Sequence, residues 1–127
     1  MNRDRIVALR NVRDEEVPRR AWVWETRRGH KDKGYLVKIS FERLLEIAHE
    51  ADVCPLCGIK FAWRNPKEKN SVRRDRPTLD RINNEDILTE ENIMIICAKC
   101  NGTKQDRSLE ELLEYCRMIA AKFPPKT

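Results

Sequence analysis

The chain has 127 residues, a net charge of +5 and a pI near 9.1, with 37% charged and only 6% aromatic residues. That length suits one domain, and so sparse an aromatic content leaves a modest core that gains from a covalent or metal staple. No apolar run approaches the roughly 20 residues that span a bilayer. Met1-Asn2-Arg3-Asp4-Arg5 also lacks the apolar stretch of a secretory signal. Membrane insertion and secretion are therefore not expected, and the expected compartment is the cytoplasm.

In chain order, residues 1–36 show no sustained period. Ile6-Val7-Ala8-Leu9 and Ala21-Trp22-Val23-Trp24 are short apolar patches that read as strands, and 27–34 reads as a loop. Trp22 and Trp24 would then share one strand face, with core packing favoured over base stacking. Ser40 is a good N-cap for a helix carrying Phe41, Leu44, Leu45, Ala48 and Ala51 at helical spacing, with Ile39 and Leu44 as a hydrophobic staple. This helix delivers the chain into Cys54.

From Pro77 to Asn83 the pattern predicts a short strand, then a loop to Glu91. A β-prone run follows over Asn92-Ile93-Met94-Ile95-Ile96, and a short helix after Cys97. A last helix opens at Ser108 with Glu111 three residues on, a capping box. Its apolar stripe is Leu109, Leu112, Leu113, Cys116, Ile119, Ala120 and Phe123, and Pro124-Pro125 stops it. The stripe is expected to pack on the preceding elements, with Cys116 as a small core residue.

Four of the five cysteines form two pairs, Cys54-Pro-Leu-Cys57 and Cys97-Ala-Lys-Cys100. Two thiols separated by two residues reach one ion from a single tight turn, and two such turns close the tetrahedral shell of a structural zinc. Two disulfides or buried thiols are the alternative, and a reducing compartment favours metal. The pairs bracket Thr78-Leu79-Asp80-Arg81-Ile82, and Asn101 directly follows the second. A hard ion such as Mg²⁺ takes oxygen ligands and keeps several waters, so Asp80 and Asn101 together leave room for a substrate phosphate. Taken alone, the two residues read better as a turn Asp and an Asn at a helix start; the double C-x-x-C frame around them is what favours the site.

Charge is unevenly spread. Residues 1–36 hold ten Lys/Arg against six Asp/Glu, and 63–76 hold six (Arg64, Lys67, Lys69, Arg73, Arg74, Arg76) against two. Basic clusters beside a metal site suit a polyanion such as nucleic acid, although each segment alone reads equally as a solvated loop.

The positions Cys54, Cys57, Thr78, Asp80, Arg81, Ile82, Asn84, Asn92, Cys97, Cys100, Asn101 and Lys104 agree in order and spacing with one pattern. Over about residues 41–117 the chain resembles the HNH endonucleases, specifically a phage-type subgroup with four zinc-binding cysteines. The resemblance implies an α+β fold, a small zinc-stapled ββα-metal core with flanking helices, assigned to 37–127; it does not cover residues 1–36, which read from their charge as a basic N-terminal extension. It implies a metal-dependent DNA endonuclease or nickase that hydrolyses phosphodiester bonds.

Carried over residue by residue, Asp80 and Asn101 would hold a catalytic Mg²⁺ or Mn²⁺, and Asn92 would brace the loop. Cys54, Cys57, Cys97 and Cys100 would hold a structural Zn²⁺. Arg73, Arg74, Arg76 and Lys104 are the expected DNA contacts. Two positions depart from the pattern. Ile87-Leu88 stands where the subgroup has Gly-Tyr. Arg81 stands where most HNH enzymes have the histidine base; it is shared with the subgroup, is a poor base, and can clamp a phosphate instead. The base is thereby left open: of the only two imidazoles, His49 is expected in a surface or core role, and His30, in the basic loop Arg27 to Lys33, could reach the site. A zinc-organised DNA-binding module with little or no cleavage is the alternative function.

Overall fold

The N-terminal segment corrects the expectation of two strands and a loop. In the computed structural model, which describes residues 3–63 and 74–126 and side chains from residue 15 onward, one 30-residue helix, α1, spans Arg3–Asp32. It packs against α2 and β1, and i,i+4 ion pairs, Glu15–Arg19 at 3.2 Å, Glu16–Arg20 at 3.8 Å and Arg28–Asp32 at 3.8 Å, add minor support that apolar periodicity does not register. The face turned toward the rest of the protein runs Arg19, Trp22, Val23, Thr26, His30. That is helical spacing, but only Trp22 and Val23 in it are apolar, so the sequence shows no amphipathic period.

The two tryptophans consequently point apart, because two residues along a helix turn about 200°. Trp22 meets Trp63 edge-on at 5.3 Å and donates its Nε1–H to the Pro77 carbonyl at 3.0 Å. Trp24 is 52% exposed, with the Arg28 guanidinium 5.1 Å from its ring.

Gly34, at φ +93°, takes the left-handed turn that ends α1. Strand β1 (Leu36–Val37) and helix α2 (Phe41–Glu50) follow, with the Ser40 side chain accepting from the Arg43 N–H at 3.1 Å as N-cap. Beyond the first cysteine pair come β2 (Pro77–Arg81), β3 (Ile87–Leu88), a 3₁₀ turn (Glu90–Asn92), β4 (Ile93–Cys97), α3 (Ala98–Lys104) and α4 (Leu109–Lys122). Strands β2 and β4 pair antiparallel, with Pro77 opposite Cys97 and Asp80 opposite Met94, while β1 and β3 pair parallel.

The core lies where α1, α2 and the β2–β4 hairpin meet: Val23, Leu44, Ala48, Leu88 and Ile96 are fully enclosed. Alternation along β2 buries Leu79 and turns Thr78 and Asp80 to the opposite face, which α3 adjoins.

Helix α4 starts as expected, with the Ser108–Glu111 capping box formed. Its stripe does not pack as expected: only Leu112 is buried, whereas Leu113, Cys116, Ile119 and Phe123 are exposed. Among the described residues the helix projects from the fold along most of its length, so Cys116 is not a core residue. No described helix is long and apolar enough to cross a membrane.

Candidate functional site

Four thiols converge at one end of the hairpin. The first pair sits on a turn closed by Cys54 N–H to the Ile59 carbonyl and Gly58 N–H to the Cys54 carbonyl, both 2.8 Å. Gly58 has φ +79°, a conformation that glycine adopts freely and most residues do not. The second pair joins β4 to α3, with Cys97 as N-cap: its Sγ accepts the Cys100 N–H at 3.4 Å. The Cys97 N–H in turn points at Cys54 Sγ, 3.4 Å away. All four Sγ atoms of Cys54, Cys57, Cys97 and Cys100 lie within 4.8 Å of one another, and none is in a disulfide. Such a cluster could hold a metal ion such as zinc.

Its electrostatics favour thiolate at Cys54 and oppose it at Cys97 and Cys100. Burial pushes the Cys54 thiol up, but N–H donors from Cys97, Cys57 and Leu56 outweigh it and bring its pKa down to about 7. Burial holds Cys97 and Cys100 above the ordinary thiol value. Four thiols packed without a cation cannot all ionise, and a divalent ion supplies the missing charge.

Asp80 and Lys104 form the second centre. Lys104 is 2% exposed, and its ammonium donates to the Arg81 carbonyl at 3.0 Å and to the Arg107 carbonyl. Asp80 Oδ2 is buried and lies 2.8 Å from the same Nζ, a close ion pair. The sequence had placed Lys104 among the DNA contacts; the structure directs its charge inward, onto Asp80 and two loop carbonyls. Asn101 is set by a relay in which its Nδ2–H donates to Thr78 Oγ1 at 3.0 Å, and the Thr78 hydroxyl donates to the Ile96 carbonyl at 2.8 Å. With Nδ2 committed to Thr78, Oδ1 is the amide atom left for other partners.

The loop between β2 and β4 is tied down from both sides. Asn92, 4% exposed, accepts the Asn83 N–H on Oδ1 at 2.9 Å and donates from Nδ2 to the Ile87 carbonyl at 3.0 Å. Arg81 Nη1 donates to the Glu85 carbonyl at 2.9 Å and to Asp86 Oδ1 at 3.0 Å, with the guanidinium 4.5 Å over the Tyr35 ring.

Asp80, Arg81 and Asn101 open onto one cleft of about 660 Å³, whose opposite wall is α1 and the turn after it: Trp22, Glu25, Thr26, His30, Lys33 and Tyr35. Arg76 and Asp106 also line it. Arg74 and Arg76 are exposed just before β2, and Arg73 lies outside the described residues. His49 is remote from this cleft, its Nε2 2.6 Å from Glu16 Oε2 on the surface. Of the α1 wall the sequence suggests only that His30 could reach the site; the other residues lie more than forty positions from Asp80 and carry no motif.

The burial of Lys104 makes a sharp prediction. Lys104→Met leaves a buried carboxylate without its counter-charge and should cost about 3–5 kcal/mol of stability. An exposed phosphate-contacting lysine would change stability by only about 0.5 kcal/mol. Urea unfolding of the two proteins distinguishes these values, and a loss below about 1 kcal/mol would refute the buried pair.

Comparison with family models, with characterised proteins and with solved structures finds no match to this chain.

Proposed function

We propose that the chain is a metal-dependent DNA endonuclease or nickase of the HNH type, its β2–β4–α3 unit serving as a zinc-stapled ββα core. The observation that carries this reading is one cleft lined by Asp80, Arg81 and Asn101, together with the four-thiol cluster that Asn101 directly follows in the chain. Zinc on Cys54, Cys57, Cys97 and Cys100 would be structural, and a reducing cytoplasm would keep its ligands as thiolates.

A hard divalent ion needs oxygen donors. Asp80 offers a carboxylate, its Oδ2 already 2.8 Å from the Lys104 ammonium, and Asn101 an amide whose Oδ1 is free of the Thr78 bond. These residues fit Mg²⁺ or Mn²⁺, with the reservation that Lys104 already neutralises part of the carboxylate charge, so binding should be weak. Such an ion supplies charge stabilisation to a phosphodiester as it passes through its transition state. Arg81, Arg74 and Arg76 add positive charge around the approach, and Asn92 holds the loop that carries the Arg81 partners.

A DNA-binding module with little cleavage is the second reading, favoured by the Lys104–Asp80 pair and by an arginine where a base is needed. Nicking of supercoiled plasmid with and without Mg²⁺ or Mn²⁺ separates the two. Both readings predict salt-sensitive binding. Alanine at Arg73, Arg74 and Arg76 together should weaken affinity equally across sequences and lower the slope of log K against log salt by about 0.9 per lost phosphate contact. An unchanged slope makes the cluster a solvated surface.

A further inference from the structure

We infer that His30, delivered by the last turns of α1, is the general base of this cleft. The inference rests on the endonuclease reading. Phosphodiester hydrolysis needs a group that takes a proton from the attacking water, and an arginine, protonated at any ordinary pH, does not. Asp80 is paired to an ammonium and Asn101 does not ionise, so the β2–β4–α3 wall offers no such group.

The opposite wall does. His30 lines the same cleft as Asp80, Arg81 and Asn101, although fifty residues of chain separate it from Asp80. Its Nδ1 lies 2.7 Å from the Thr26 carbonyl oxygen. A carbonyl only accepts, so Nδ1 carries the proton, and in the neutral ring Nε2 keeps the lone pair. A backbone hydrogen bond on the helix thus sets the tautomer a base requires. The ring is held by Tyr35, centroid to centroid 5.5 Å and tilted 52°, and Tyr35 also carries the Arg81 guanidinium at 4.5 Å. One aromatic ring therefore braces the imidazole and the arginine together. His49, the other imidazole, is occupied by Glu16 outside the cleft.

In the step assigned to it, Nε2 accepts a proton from water as the water oxygen's electron pair forms a bond to phosphorus. The bond from phosphorus to the leaving ester oxygen breaks with its pair on that oxygen, which takes a proton from solvent. The imidazolium returns its proton to bulk water, and nothing is oxidised or reduced.

The test uses the full chain, supercoiled plasmid and Mn²⁺ or Mg²⁺, with zinc content and helix content checked for each variant. His30→Ala should lower the cleavage rate about 10²–10⁴-fold with DNA affinity unchanged, and added imidazole should restore part of the rate. His30→Asn, which keeps a donor for the Thr26 carbonyl but no basic nitrogen, should be as slow as His30→Ala; a purely structural role would let it recover. Without divalent ion, ¹⁵N spectra of the ring should show the Nδ1–H tautomer. If the parent cleaves, Asp80→Asn does not, and His30→Ala matches the parent, the base assignment falls and the endonuclease reading stands. An Nε2–H tautomer also overturns the assignment. A parent that nicks in neither ion overturns both.

Discussion

Replacing Cys97 with Ser should unfold most of the domain. Cys97 is fully enclosed, closes β4 and caps α3, and its N–H and Sγ tie Cys54 to Cys100. Serine keeps the cap but not the soft ligand, so a bound zinc would lose one quarter of its shell. Structural zinc is worth roughly 10–16 kcal/mol at neutral pH in small domains, as much as the whole stability of most domains, about 5–15 kcal/mol. The hairpin and α3 should therefore lose their order when metal is lost. Far-ultraviolet circular dichroism and elemental analysis check this, with Cys116→Ser as control: that residue is exposed and its replacement should shift stability by about 0.5 kcal/mol or less. Full helix content in protein that contains no zinc would refute the staple.

Asp80→Asn should cut plasmid nicking by about 10³-fold while leaving zinc content and DNA affinity near the parent's. The figure corresponds to about 4 kcal/mol, the scale of metal-assisted charge stabilisation in a transition state. Asparagine is the appropriate substitution because alanine would strand the buried Lys104 ammonium and confuse lost folding with lost chemistry. With asparagine an oxygen still faces the ammonium, so the melting temperature tells whether the fold is kept. An Asp80→Asn protein that nicks at the parental rate in Mg²⁺ or Mn²⁺ would remove Asp80 from the chemistry. A parent with tight, salt-dependent DNA binding and no nicking would leave the binding module as the function.

Much of the local structure was legible in the sequence. Ser40 and the Ser108–Glu111 box cap helices because a hydroxyl answers orphan N–H groups within three residues. The β-prone run after Asn92 pairs with the strand through Asp80, and the C-x-x-C spacing brings four thiols together. Each of these depends on neighbours a few positions apart, or on one ion-sized target that only cysteines fit.

What the sequence could not determine is what faces what across the fold. Within residues 1–36 the sequence suggests strands at 6–9 and 21–24 rather than a helix, because the inward face mixes Arg19, Thr26 and His30 with Val23, and a mixed face leaves no apolar period. The stripe on α4 has that period yet stays largely exposed, since a period states which residues share a face and not whether anything covers it. Lys104 follows the cysteine motif as a basic residue by composition, and only the packing of α3 against β2 turns its charge onto Asp80. The sequence by itself determined the chemistry of the hairpin: the thiols, one carboxylate, one amide and an arginine. Tertiary structure alone decided which carbonyls and charged side chains meet those groups, and that α1 lines the cleft with His30. The reason is distance along the chain: contacts between segments fifty residues apart follow from packing of whole elements, which no local spacing encodes.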